Sequence, residues 1–235
     1  MTDHRAIELL REHSDLADLA AYPFNVDIAR DDHVEAVRLA SGAALEPVAG
    51  DDTGGTYFVC ADGAVLYADS EGAAGVVGDS LDEALEVMIG LPGWHGYLGL
   101  DPDADDAALA AAVAETEEEE REYYGPELDE DRATLLAGLG LRQLPQPELI
   151  RRLHRALLRT EPDHLLLNAE ELCAYQPLDR LPRPRPWESA LGGVFRITPG
   201  GRRRGTHLDG FSSVADAPHG LPPRRRRCTH PNDAR

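Results

Sequence analysis

Apolar residues near the start of the chain recur at intervals of three and four, which is the spacing of an amphipathic helix. Residues 4–20 fit one such helix, with Ile7 and Leu10 on its apolar face. Pro23 ends this helix, because proline disfavours helical backbone at the residue before it. The same spacing predicts a second helix over residues 31–41.

The apolar period changes to two after this region, and the change predicts β-structure. Turn-forming residues separate the alternating segments, and Asp62-Gly63 is a strong signal for a two-residue hairpin. We therefore expect an antiparallel meander with strands over residues 45–49, 56–60, 64–68 and 74–77.

A helix follows the meander and begins at Ser80. Glu83 stands three residues further on, so the pair fits a capping box, in which each side chain bonds the other residue's amide. Residues 78–81 also read GDSL, a motif that carries the nucleophile in one class of serine ester hydrolases. Asp216 and His219 match the Asp-x-x-His of that class. The oxyanion-hole segments of the class have no counterpart here, so we interpret Ser80 as a helix cap. A GDSL-type (SGNH) hydrolase that uses Ser80 is the alternative.

The second half of the chain is predicted to be mainly helical, with helices over residues 103–124, 127–138, 147–159 and 168–175. The fold class is therefore α+β, with an antiparallel β-meander packed by helices, a mainly helical second half and a disordered basic tail. We expect an α+β domain over residues 1–100, a helical extension over 101–192 and an Arg/Pro/Gly-rich tail over 193–235.

Charge is distributed unevenly along the 235 residues, whose formal net charge is −20. The residues up to Gly192 include 14 basic and 40 acidic side chains, a net −26, whereas Gly193–Arg235 has 9 and 3, a net +6. An acidic body repels nucleic acid and anionic membranes and attracts basic partners. We therefore expect a basic protein partner.

The basic tail has three interpretations. It is a disordered arm that folds back on the acidic body, a segment that binds nucleic acid, or the product of an altered reading frame. Arg runs are typical of phosphate contacts, but Phe195 and Phe211 are too few aromatics for a stacking platform. Disorder is the favoured interpretation, and nucleic-acid binding is not expected except through this tail.

The sequence lacks the signals of secreted, membrane-spanning and metal-binding proteins. The N-terminal segment is charged throughout, unlike a signal peptide, and no run approaches the ~18 apolar residues of a membrane span. Cys60, Cys173 and Cys228 form no metal-binding spacing, and no histidine belongs to an HExxH motif. We expect a cytoplasmic protein with no membrane contact, no metal and no cofactor.

The region from about Leu45 to Pro92 resembles the central part of the SUKH (SMI1/KNR4-like) superfamily. The resemblance lies in a strand, an acidic Gly turn (residues 50–55), an aromatic strand, a second acidic turn (69–72) and the Ser-capped helix. It implies an α+β domain without catalysis. Many bacterial members are immunity proteins that neutralise a toxin domain, often a nuclease.

An immunity function implies a binding surface for protein–protein interaction, and the meander supplies the candidates. The acidic turns would meet basic groups of the toxin, and the strand aromatics would act as exposed anchors. No catalytic residue is expected. The candidate partner-binding residues are Asp51, Asp52, Tyr57, Tyr67, Asp69 and Glu71.

Overall fold

The computed structural model describes residues 5–171 and 173–178 of the chain. The helices are α1 (Arg5–Glu12), α2 (Ser14–Ala21), α3 (Leu81–Gly90), a 3₁₀ helix (Trp94–Gly99), α4 (Asp106–Tyr124), α5 (Leu128–Leu139) and α6 (Gln146–Leu157). The strands are β1 (Val37–Leu39), β2 (Leu45–Gly50), β3 (Thr56–Cys60), β4 (Val65–Ala68), β5 (Ala73–Gly78), β6 (Leu166–Asn168) and β7 (Gln176–Pro177).

A five-stranded sheet in the order β2-β3-β4-β5-β7 forms the centre of the described fold. Strands β2 to β5 are joined in sequence as antiparallel neighbours, and β7 pairs in parallel with β5. Tyr57 of β3 lies opposite Tyr67 of β4. The predicted meander and the predicted α+β fold class are both confirmed.

Both faces of this sheet are covered. Every residue of β3 and β4 is buried, because alternate side chains enter two different cores. The larger core holds one set of strand residues beneath the helices, including Tyr57 and Val65. The smaller core holds the other set, including Phe58 and Leu66, together with Leu39 of β1.

The helical second half shares the larger core with the meander. Leu109 of α4, Leu135 of α5 and Leu153 of α6 belong to the same buried cluster as the strand residues, and α6 packs against β5 and α3. The expected boundary near residue 100 therefore does not separate two cores. Helix α3 begins as predicted, with the Ser80 hydroxyl accepting a hydrogen bond of 3.2 Å from the Glu83 amide.

The single helix predicted over residues 4–20 is divided at His13 into α1 and α2, and two other helix predictions are wrong. Residues 31–41 contain strand β1 and no helix, and β1 pairs with β6 more than a hundred residues later. Residues 168–171 and 173–175 also form no helix, and Leu167 bridges to Ala174 instead. Short apolar segments fit either period, and pairing with a distant strand decides between them. The predicted tail, 193–235, lies outside the described residues.

Candidate functional site

Asp51 lies in the turn between β2 and β3 and is buried. Its Oδ1 accepts hydrogen bonds from the amide and hydroxyl of Thr53, at 2.9 and 2.8 Å, and from the Gly55 amide at 2.8 Å. Its Oδ2 accepts a 2.6 Å bond from the Tyr67 hydroxyl. Burial alone would raise the pKa of Asp51, but these bonds outweigh it and hold the pKa below its ordinary value. Asp51 thus stabilises the turn by accepting hydrogen bonds from within it.

Tyr57 and Tyr67 are core residues, each with a relative exposure of 1%. Their ring centroids are 5.0 Å apart, and the Trp94 ring stands edge-on to Tyr67 at 5.2 Å. Burial raises the pKa of each of these two phenols above the ordinary value of a tyrosine. The expectation that Tyr57 and Tyr67 are exposed anchors is wrong, because both belong to the larger core, and Asp51 is likewise buried.

The other three candidates lie at the surface. Asp52 and Glu71 are exposed, and Asp69 is half-buried, where its Oδ1 accepts bonds from the Glu71 and Ala73 amides. Ser70 joins the two turns by donating a 3.1 Å bond to the carbonyl of Thr53. The structure therefore brings Asp52, Asp69 and Glu71 together at one end of the sheet. We call Asp51–Gly55 and Asp69–Gly72 the acidic turns.

Three tyrosines that sequence reasoning missed form an aromatic cluster. Tyr22 ends α2 and is 58% exposed, and Tyr123 in the last turn of α4 is 75% exposed. Tyr124 lies between them, with edge-on ring contacts at 5.0 Å to Tyr22 and 4.8 Å to Tyr123. We call Tyr22, Tyr123 and Tyr124 the tyrosine cluster.

Carboxylates surround the tyrosine cluster. Burial, followed by the charges of Glu120 and Asp52, raises the pKa of Tyr124 above its ordinary value. Burial, followed by repulsion from Glu119, raises the pKa of Glu120. Asp52 belongs to an acidic turn, so its influence on Tyr124 links the tyrosine cluster to that end of the sheet. Partly dehydrated acids close to one another favour a cationic neighbour.

The acidic excess extends over the rest of the described surface. The described residues hold 37 acidic side chains and 11 arginines, a net −26. At least seven of these arginines already pair with carboxylates, namely Arg30, Arg121, Arg132, Arg142, Arg151, Arg152 and Arg159. Most arginines of the described chain therefore already have carboxylate partners.

A second group of functional side chains meets on the other face of the sheet. One ligand atom each from Cys60, Asp62 and His164 lies within 4.8 Å of the other two. Burial, followed by the charge of Asp62, raises the pKa of the Cys60 thiol to about 12. Cys60 is therefore a neutral thiol near pH 7 and not an activated nucleophile. His164 follows Asp62 by 102 residues, so no local motif could have revealed this group.

Ser80 occupies the N-cap of α3, and its Oγ accepts the Glu83 amide. Asp216 and His219, which the hydrolase alternative needs, lie outside the described residues. That alternative stays a prediction. Its test is hydrolysis of a small aryl ester by the wild type and by Ser80→Ala.

Comparisons of this chain with family models, with curated proteins and with solved structures gave no match. No described helix combines the length and the hydropathy that crossing a lipid bilayer requires.

Proposed function

We propose that this chain is a non-enzymatic, cytoplasmic binding protein of SUKH-like type whose partner is a basic protein. In this proposal it acts as an immunity protein that neutralises a toxin domain, such as a nuclease. The observation that carries the proposal is the tyrosine cluster, an exposed aromatic patch whose Tyr124 feels the charges of Glu120 and Asp52.

Exposed tyrosines supply the apolar part of such an interface. Tyr and Trp are enriched among the residues that dominate binding energy, because they bury a large area with few rotatable bonds. Tyr22 and Tyr123 are the most exposed tyrosines in the described chain. Tyr124 supports both rings from the side, so the patch is already ordered before a partner arrives.

The surrounding acids supply the electrostatic part. A basic nucleic-acid cleft would meet Glu119 and Glu120 on α4 and Asp52, Asp69 and Glu71 in the acidic turns. Such complementarity raises the association rate and selects against acidic partners. A cation docked near Glu120 would also offset the burial and the repulsion from Glu119, which together raise the pKa of Glu120.

The test is affinity capture with the full chain as bait, from nuclease-treated extracts of the native cells. We expect one basic chain to be retained at near-stoichiometric yield, and its toxic or nuclease activity to fall when the bait is added at equal concentration. Retention should weaken as salt rises, because exposed charges are screened.

Matched variants decide whether the proposed surface is responsible. Tyr22→Ala/Tyr123→Ala should weaken capture about a hundredfold or more, as expected when two interface anchors are lost. Val34→Ala is the control, because Val34 is 83% exposed and belongs to neither the acidic turns nor the tyrosine cluster. Equal loss in both variants, or a captured chain without a toxic activity that the bait inhibits, would refute the proposal.

Two matched charge variants test the acidic turns through the rate at which the captured chain associates. Asp52→Asn/Glu71→Gln should slow association and reduce its salt dependence, because exposed charges act mainly on the association rate. Glu46→Gln is the control, since this exposed acid lies on β2 at the end remote from the acidic turns. If both variants associate at the wild-type rate, the acidic turns are not part of the interface.

A further inference from the structure

Cys60, Asp62 and His164 line a cleft of about 540 Å³ on the side of the sheet that faces the smaller core. Cys60 ends β3, and Asp62 lies in the turn to β4. His164 follows α6 in a loop that is tied to the sheet, because the Thr160 hydroxyl accepts a 3.0 Å bond from the Val76 amide. Two separate parts of the fold thus hold the three side chains in place.

Positive φ at Gly63 makes this turn possible. Gly63 adopts φ 90°, a left-handed conformation that a side chain would oppose. Its amide donates a 2.8 Å bond to the Cys60 carbonyl, and the Ala64 amide donates a 3.2 Å bond to Asp62 Oδ1. Cys60 and Asp62 are therefore positioned side by side by backbone bonds, with Asp62 Oδ2 directed towards His164.

Both ring nitrogens of His164 face oxygen acceptors. Nδ1 lies 3.0 Å from the Arg159 carbonyl, and Nε2 lies 3.0 Å from Asp62 Oδ2. The Arg159 carbonyl can only accept, so Nδ1 is the nitrogen that carries the proton towards it and Nε2 is the nitrogen that faces Asp62. Nε2 and Asp62 Oδ2 are therefore placed so that both could bond one cation between them.

The arrangement matches the requirements of zinc. Four-coordinate Zn²⁺, with bonds of about 2.0–2.3 Å, holds its ligand atoms about 3.3–3.6 Å apart. The three ligand atoms here are within 4.8 Å of one another, and His164 Nε2 and Asp62 Oδ2 are already 3.0 Å apart, so small side-chain movements would bring all three to these distances. A ligating histidine usually donates its second N–H to a backbone carbonyl, as His164 does to Arg159.

Charge is balanced around the three ligands. A Zn²⁺ ion with the Cys60 thiolate and the Asp62 carboxylate sums to zero. The nearby Arg159 guanidinium is neutralised by Asp79, whose Oδ1 it contacts at 2.6 Å, and it also bonds Asp62 at 3.0 Å. Binding of Zn²⁺ releases the thiol proton of Cys60 to solvent, and no further reactant is required.

We propose that Cys60, Asp62 and His164 bind a Zn²⁺ ion, with a fourth coordination position open to the cleft. Mixed sulfur, nitrogen and oxygen donors suit Zn²⁺ and exclude Mg²⁺ and Ca²⁺, which take oxygen ligands. A water molecule fills the fourth position from the cleft side, where Asp62 and Asp163 are exposed. This site is independent of the tyrosine cluster and its partner.

The test uses the full chain, free of any affinity tag and treated with a chelator, titrated with Co²⁺ as a spectroscopic substitute for Zn²⁺. We expect one equivalent to bind with a thiolate-to-cobalt charge-transfer band in the near ultraviolet and visible bands of tetrahedral intensity. Added Zn²⁺ should remove both signals, because zinc binds such ligands more tightly than cobalt.

Variants identify the ligands. Cys60→Ser should abolish the charge-transfer band, and His164→Gln and Asp62→Asn should each weaken binding about tenfold or more. Asp163→Asn is the matched control in the same cleft, and it should bind Co²⁺ as the wild type does.

Asp62→Asn also keeps the test decisive if Cys60→Ser fails to fold, because Asp62 is an exposed turn residue. Zn²⁺ should raise the thermal midpoint of the wild type but not that of Asp62→Asn. The proposal is overturned if no charge-transfer band forms, if the band survives in Cys60→Ser, or if it is lost in Asp163→Asn.

Discussion

Replacing Tyr67 by phenylalanine tests how far the buried acidic turn depends on one hydroxyl. The change keeps the ring that packs against Tyr57 and Trp94 and removes only the 2.6 Å bond to Asp51 Oδ2. Hydrogen bonds to a charged group contribute about 1.5–3 kcal/mol, and Asp51 keeps its three bonds on Oδ1. We expect Tyr67→Phe to lower the free energy of unfolding by about 2 kcal/mol at pH 7.

Urea and thermal unfolding measure this cost. A loss of about 2 kcal/mol corresponds to a fall in the thermal midpoint of about 4–8 °C for a domain of this size. Tyr97→Phe is the matched control, because the buried Tyr97 hydroxyl has no hydrogen-bond partner among the described residues. Its removal should cost less than about 0.5 kcal/mol.

The pH dependence gives a second readout. The folded-state pKa of Asp51 is lowered, so its ionised form stabilises the folded protein above the unfolded value of 3.8. That contribution is lost as the pH falls through the folded-state pKa. Tyr67→Phe removes one of the bonds that lower this pKa, and the acid-unfolding midpoint should therefore move to a higher pH.

A double-mutant cycle with Asp51→Asn isolates the interaction between the two side chains. In the Asp51→Asn background, Tyr67→Phe should cost less than half of its cost in the wild type. Equal costs for Tyr67→Phe and Tyr97→Phe, or an unchanged acid midpoint in Tyr67→Phe, would refute this account of the turn.

Two further predictions concern helix α3. The buried carboxylate of Glu86 bonds Arg142 at 2.8 and 3.0 Å and Arg152 at 2.9 Å. Glu86→Ala should cost about 3 kcal/mol, because the largely buried Arg152 then keeps only the more exposed Glu148 at 2.8 Å and Glu83 at 3.9 Å as partners. Urea unfolding measures this cost, with Glu46→Ala as the control because Glu46 is exposed on β2. A cost below about 1 kcal/mol for Glu86→Ala would show that the ion pairs are not coupled to folding. Ser80→Ala should cost about 1 kcal/mol by removing the helix cap. If the wild type also hydrolyses a small aryl ester and Ser80→Ala loses that activity while staying folded, the hydrolase alternative replaces the interpretation of Ser80 as a cap alone.

Local sequence patterns determined the meander and the start of α3. Strands β2 to β5 form where the apolar period of two predicts them, and turns that contain Asp and Gly separate them. Ser80 caps α3 because its hydroxyl needs only the amide three residues further on. These features rely on contacts between neighbours in the chain, so a short window of sequence contains all the information they need.

Distant contacts decided the features that sequence reasoning placed wrongly. Residues 37–39 join β6 as a strand, although their spacing also fits a helix. Tyr57 and Tyr67 alternate correctly along their strands, but the larger core buries them, and Trp94 of the 3₁₀ helix contacts both. Alternation indicates which residues share a face of a sheet, and it does not indicate whether another layer covers that face.

Both candidate sites depend on the same kind of distant contact. Tyr22 meets Tyr124 only when α2 and the end of α4 pack together, and His164 meets Asp62 across 102 residues. The sequence by itself determined the acidic charge, the meander and the helix cap, because composition and local spacing encode them. Only the tertiary structure decided which side chains are exposed and which are brought together, since those depend on how remote segments pack.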